Sequence, residues 1–160
     1  VRQQCRPRVT GFCFAGADAA RPAPGVLEAL RTADAVIFCP SNPWVSIDPI
    51  LAVPGLRAAL QSRPVVAVSP IIGGQTVKGP AAKMYLELGQ EASALSVARH
   101  YAGLLAGFVL DQVDAPLEEA VRGLGMHAHV TDTLMRSVED RRRLAAEVIT
   151  LCERLITNSL

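Results

Sequence analysis

The chain has 160 residues, of which half are hydrophobic and 19% are charged, a composition that suits one folded domain with a single core and excludes a disordered chain. Its formal net charge of +1 excludes the strong field that would attract nucleic acid or a membrane, so any anionic ligand must be held locally by backbone amides and a few cations. The four cysteines have no metal-ligand spacing and no apolar run is long enough to span a bilayer, so we expect a cytoplasmic protein.

Five short apolar runs are predicted as strands, at residues 9–14, 35–39, 65–68, 108–110 and 127–130. Their hydrophobicity is continuous rather than alternating, which is typical of strands that are covered on both faces of a parallel sheet. Cys13 and Cys39 lie inside two of these runs, where a reduced thiol is expected to pack as a small hydrophobic side chain.

Helical patterns fill the intervals and the end of the chain, at residues 24–32, 49–60, 80–88, 93–106, 116–124 and 139–156. The second of them is expected to break near Pro54 and Gly55, since both residues disfavour a helix interior. Alternating strands and helices predict a Rossmann-like α/β fold, with a doubly wound, mainly parallel sheet and helices on both faces. Because the chain opens at Val1 rather than at methionine, we expect residues 1–160 to be the C-terminal portion of a single α/β domain.

The loop after the second predicted strand is the first candidate site, because ligands of open α/β sheets bind beyond the carboxyl ends of the strands. It contains Ser41, Asn42, Pro43 and Ser46 and runs into a helix, whose free N–H groups favour phosphate. The alternative is ordinary turn chemistry, with Ser46 or Asp48 as a helix cap.

The loop after the third predicted strand is the second candidate site. Gly73 and Gly74 allow a ligand to approach the backbone closely, and Ser69 adds a hydroxyl group. Lys78 stands just before the helix that begins at Pro80, where the helix dipole already favours anions. The alternative is a solvated lysine on a flexible loop. The order of residues is not that of a Walker P-loop.

Carboxylates follow the fourth predicted strand. Asp111 is a candidate ligand for a divalent metal or a ribose hydroxyl, and the alternative is a bond to a turn amide. Asp114 is expected to cap the helix that follows it, and Asp132 to cap the last helix. Trp44 is expected to shield the first loop by burial, since burial is the usual state of a tryptophan ring.

At these loops the sequence resembles the 2-phospho-L-lactate transferases of coenzyme F-420 biosynthesis. The resemblance runs along the whole chain, and its most specific parts are Pro40-Ser41-Asn42-Pro43 with Ser46-Ile47, Val68-Ser69-Pro70-Ile71 with Gly73-Gly74, and Lys78-Gly79-Pro80-Ala81. Asp48 departs from the pattern, because glycine is expected there most often.

The resemblance implies a donor that is a guanosine diphosphate ester of lactate or enolpyruvate, the deazaflavin Fo as acceptor, and GMP as the released product. It also implies Mg²⁺ as cofactor and a homodimer. Ser41, Asn42, Ser69 and Lys78 would hold the guanosine diphosphate moiety. The family's glycine-rich first turn and its metal-associated carboxylate belong to an N-terminal part, so the catalytic residues are expected there and this chain alone is expected to be inactive.

A non-enzymatic relative is the alternative. A nucleotide-sugar-binding regulator of the same superfamily would share the sheet and the diphosphate site but would transfer nothing. The Pro40-Ser41-Asn42-Pro43 loop favours the transferase.

Overall fold

The computed structural model of the chain describes residues 6–158. This part of the chain forms six strands: β1 Val36–Phe38, β2 Val65–Val68, β3 Ile71–Ile72, β4 Gln75–Thr76, β5 Gly107–Asp111 and β6 His127–Thr131. Four of them pair in parallel in the order β1-β2-β5-β6, while β3 and β4 form a separate antiparallel hairpin. The predicted parallel sheet is confirmed, and four of the five predicted strands lie in it.

Helices alternate with these strands, as predicted. The α-helices between residues 6 and 158 are α1 Val26–Thr32, α2 Asp48–Leu51, α3 Leu56–Leu60, α4 Ala81–Glu87, α5 Ala94–His100, α6 Glu118–Arg122 and α7 Val138–Thr157. A π-helical turn, Pro43–Ile47, precedes α2, and a 3-10 helix, Gln112–Leu117, precedes α6. The break predicted near Pro54 separates α2 from α3. Within the described range, no helix has both the length and the hydropathy needed to cross a membrane.

The two faces of the sheet are covered by different helices, which explains the continuous hydrophobicity of the strands. Val65 and Ala67 of β2 belong to a core formed with α4, α5 and α6, whereas Val66 and Val68 belong to a second core formed with α7. A Cβ atom added at Gly107 of β5 would lie 3.0 Å from Leu155 Cδ1, so glycine at this position allows α7 to pack closely on the sheet.

The strand predicted at residues 9–14 is wrong, since this described segment forms no strand. The backbone N–H of Val9 donates to Glu87 Oε2 at 2.9 Å, and the Phe12 ring stacks on Trp44 with ring centroids 5.5 Å apart. The segment therefore covers one surface of the core without a strand partner. Cys13, which lies on its outer side, is exposed, so the prediction that it packs in the core is also wrong.

The burial predicted for the end of β1 is also not found. β1 is an edge strand of the described sheet, and Ile37 on its outer face is 41% exposed. Cys39 follows on the same face and is exposed rather than buried. The prediction that both faces of this strand are covered is therefore wrong at its end.

Two helix ends also differ from prediction. The helix predicted at residues 93–106 ends at His100, and a turn through Gly103, with φ of 76°, leads into β5. The cap of α7 is Ser137, which forms a capping box with Asp140, so the prediction that Asp132 caps this helix is wrong. Asp132 instead accepts a hydrogen bond from the N–H of Leu134 at 3.0 Å.

Candidate functional site

A cleft of about 530 Å³ opens where β1, β2 and β6 end. Three segments line it, which we call the first wall (lining residues within 40–46), the second wall (within 69–81) and the third wall (within 133–141). Ser41 lies in the first wall and Ser69 in the second. The expectation that the loops after β1 and β2 meet at one cleft is therefore confirmed, as expected for neighbouring parallel strands.

The first wall is shaped by Asn42. Its Oδ1 accepts hydrogen bonds from the N–H groups of Trp44 at 3.0 Å and Val45 at 3.2 Å, so it caps the π-helical turn. Its Nδ2 donates to Met84 Sδ at 3.2 Å. The Asn42 side chain thus holds the loop in place, and its oxygen is already bonded.

The hydroxyl groups of Ser41 and Ser46 in the first wall differ from the Asn42 side chain because they have no hydrogen-bond partner among the described residues. Ser41 and Ser46 line the cleft, and neither hydroxyl forms a hydrogen bond with another residue of the described segment. Both are therefore available donors for an anionic ligand. Pro43 is buried behind this wall and does not line the cleft. Trp44 is 7% exposed, which confirms the prediction that it is buried beside the loop.

The second wall includes a β-hairpin, formed by β3 and β4, rather than only the loop predicted there. Gly73 and Gly74 form its turn with φ of 54° and 78°, in the left-handed region that favours glycine. They do not line the cleft, so their glycine requirement is explained by the turn. Ser69 is 2% exposed, and its hydroxyl donates to the Ile71 carbonyl at 2.8 Å.

Lys78 follows the hairpin and lines the cleft. Its ammonium group forms no ion pair or hydrogen bond with another described residue. The adjoining backbone is held by a hydrogen bond from Thr76 Oγ1 to the Gly79 carbonyl at 2.8 Å. Among the described residues Lys78 is therefore an unpaired cation, suited to attract an anion into the cleft.

The candidate metal ligand Asp111 lies behind the third wall. Its Oδ1 accepts from the N–H of Val113 at 3.0 Å, and its Oδ2 accepts from Thr133 N and Oγ1 at 2.8 and 2.9 Å. Burial by itself raises the pKa of this carboxyl group, but the hydrogen bonds from Val113 and Thr133 outweigh it and lower the pKa below its ordinary value. The bond to a turn amide, left open by the sequence, is thus present.

Two other carboxylates do not form the predicted caps. Burial raises the pKa of Asp114, whose carboxylate accepts a hydrogen bond from the N–H of Gly73 in the hairpin turn at 3.1 to 3.2 Å. Asp48 stands at the start of α2 but forms no cap hydrogen bond there. Both of its carboxylate oxygens instead lie 2.9 Å from His100 Nε2. In both cases the carboxylate contacts a group far away in the sequence instead of a nearby backbone N–H.

From the sequence, residues 131–135, which include part of the third wall, were interpreted as caps of the last helix rather than as a ligand site. The third wall contains Thr133, Leu134, Met135 and Arg141. Arg141, in the predicted last helix, was not among the candidate site residues. The signal that points to this wall is the position of residues 133–135 just after β6, at the same carboxyl edge of the sheet as the other two loops.

A family model described as 2-phospho-L-lactate transferase CofD matches residues 1–150. The phosphoenolpyruvate transferase of Streptomyces griseus is 45% identical over 141 residues, which cover 86% of this chain and 44% of that protein. The 2-phospho-L-lactate transferase of Methanosarcina barkeri is 43% identical over 150 residues, which cover 94% of this chain and 48% of that protein. The chain thus spans about half the length of these curated relatives.

Proposed function

This chain belongs to the 2-phospho-L-lactate transferase CofD family, and from that premise we propose that its parent protein acts in coenzyme F-420 biosynthesis. The proposed reaction transfers a phospholactyl or phosphoenolpyruvyl group from a guanosine diphosphate-linked donor to the deazaflavin Fo. The terminal hydroxyl oxygen of Fo bonds to the phosphorus that carries the three-carbon acid. The bond from that phosphorus to the bridging oxygen breaks, GMP leaves, and the hydroxyl proton is released.

The observation that carries this proposal is the convergence of the first and second walls on one cleft. Its volume of about 530 Å³ falls within the range usual for small-molecule sites. Ser41 and Ser46 offer hydroxyls, and Lys78 offers a charge, that have no partner within residues 6–158. Phosphoryl transfer depends mainly on positioning and on the stabilisation of charge on the phosphoryl oxygens, and these groups supply both.

The described residues do not fit a magnesium site. Residues 6–158 contain no group of three or more His, Cys, Asp or Glu side chains that could hold a metal ion. Asp111 is 3% exposed, and both of its oxygens are bonded to Val113 or Thr133. Magnesium therefore stays a prediction for the full-length protein. The homodimer likewise stays a prediction.

The test is a reaction with the full-length protein. It is incubated with Fo, magnesium and either the lactyl or the enolpyruvyl donor, and the products are identified by mass spectrometry. We expect Fo to gain the mass of one phosphorylated three-carbon acid less one water, with GMP formed in equal amount. A protein that binds both substrates and leaves Fo unmodified with either donor would refute the proposed transfer.

A further inference from the structure

The charged side chains that line the cleft are both cations. Lys78 stands in the second wall and Arg141 in the third, and none of the described lining residues is acidic. Low-dielectric walls strengthen the field of such a pair, so the cleft favours a ligand with more than one negative group. The cations come from separate walls, which suits two anionic groups on one molecule.

Arg141 has no partner among the described residues, although acids lie close to it in sequence. Asp140 accepts hydrogen bonds from the N–H groups of Arg136 and Ser137 at 2.8 and 2.9 Å. Asp132 pairs with the side chains of Arg136 and Arg143 at 3.4 and 3.7 Å. The guanidinium of Arg141 forms no ion pair or side-chain hydrogen bond in residues 6–158.

The position of Arg141 also disfavours a purely structural role. It lies in the first turn of α7, where the helix dipole favours anions over cations. A guanidinium there gains nothing from the helix and is left free to bind a ligand. Its planar fork matches a carboxylate with two parallel hydrogen bonds.

Apolar side chains share the third wall with Arg141. The third wall includes the apolar side chains of Leu134 and Met135, and Thr133 anchors this wall to the buried carboxylate of Asp111. A fixed apolar surface beside a guanidinium suits a small organic acid, whose carbon skeleton packs while its carboxylate is bonded. Lys78 also has apolar neighbours in the second wall, such as Ile72 and Val77, but its ammonium group is a point charge without the planar fork of a guanidinium.

We propose that Arg141 binds the carboxylate of the transferred three-carbon acid, while Lys78 binds the diphosphate. This inference rests on the proposed function and adds a residue that reads the acid itself. Lactate and enolpyruvate share the carboxylate, so the same contact serves either donor.

The experiment compares two ligands that differ only in this carboxylate. One is the guanosine diphosphate ester of lactate, and the other is the guanosine diphosphate ester of 2-propanol, in which a methyl group replaces the carboxylate. Their affinities for the full-length protein are measured by calorimetry, without turnover. The variant is Arg141→Gln, and the matched control is Arg142→Gln, the next residue of α7, which is exposed and does not line the cleft.

We expect Arg141→Gln to weaken the lactate ester about tenfold or more, since a charge-assisted hydrogen bond is lost. The propanol ester should bind this variant as it binds wild type, and Arg142→Gln should bind both esters as wild type does. If Arg141→Gln weakens both esters equally, or weakens neither, the inference about Arg141 is overturned while the proposed function stands. A wild-type protein that binds neither ester would overturn the proposed function together with it.

Discussion

Asp111 at the end of β5 holds Thr133 by two hydrogen bonds to one carboxylate oxygen, from the backbone N–H at 2.8 Å and from Oγ1 at 2.9 Å. The two residues are 3% and 4% exposed. This contact fixes the third wall of the cleft to the central part of the sheet. The Asp111 carboxylate thus positions one wall of the cleft without lining the cleft itself.

Asp111→Asn should lower the free energy of unfolding at pH 7 by about 2 kcal/mol, because an amide has a single acceptor oxygen, so the N–H donor on one side of the side chain loses its acceptor and the remaining bonds go to a neutral group. Urea unfolding measures the loss. Asp34→Asn is the matched control, since Asp34 is exposed and has no side-chain partner in the described segment, and it should change little.

The same substitution predicts a pH dependence. The pKa of Asp111 is lowered in the folded protein, so its ionised form stabilises the fold at pH values above the unfolded pKa of about 4. That contribution is lost as the pH falls through the folded pKa. The stability difference between wild type and Asp111→Asn should therefore narrow below about pH 4. A difference that stays constant into the acid range would contradict this account of the carboxylate.

Asp48 and His100 join α2, the helix that follows the first wall, to α5. Their side chains are 22% and 21% exposed, and the carboxylate lies 2.9 Å from Nε2. A double-mutant cycle of Asp48→Ala and His100→Ala should give a coupling free energy of about 1 kcal/mol. The exposed pair Glu119 and Arg122, with side chains 83% and 50% exposed, is the comparison and should give less than about 0.5 kcal/mol. Equal coupling free energies for the two pairs would refute the claim that the Asp48–His100 contact stabilises the fold more than an exposed ion pair does.

Substitutions of Asn42 distinguish a structural role of its side chain from direct contact with the ligand. Asn42→Ala removes the cap of the π-helical turn and should cost about 1 kcal/mol of stability, together with part of the affinity for guanosine diphosphate. Asn42→Ser keeps a capping oxygen and should retain most of both. Calorimetry and urea unfolding of the full-length variants measure the two effects. If Asn42→Ser binds as poorly as Asn42→Ala, the side-chain amide itself contacts the ligand.

The sheet could be predicted from the sequence because its strands are buried on both faces, which leaves a continuous apolar run such as residues 65–68. Residues 9–14 are also largely apolar, but the N–H of Val9 bonds a side chain, Glu87, that no local pattern reveals. The hairpin β3-β4 was missed because its strands have two residues each. Its glycine pair was therefore interpreted as a ligand loop.

The first two walls of the site could be predicted because each follows a predicted strand and carries unusual turn residues. Arg141 of the third wall could not, since it belongs to a regular helix whose charged residues suit a solvent-exposed face. The partners of Asp48 and Asp114 were also beyond sequence reasoning. Each bonds a group far away in the chain, His100 and Gly73 respectively, and local capping rules favour nearer ones.

The most direct test of a diphosphate site between the first two walls is the affinity of the full-length protein for guanosine diphosphate, measured by calorimetry with Lys78→Ala. We predict that this variant binds about tenfold more weakly than wild type, while Fo binds unchanged. The control Lys83→Ala, whose ammonium group pairs with Glu87 outside the cleft, should bind guanosine diphosphate normally. Wild-type affinity in Lys78→Ala would contradict the placement of the diphosphate in this cleft.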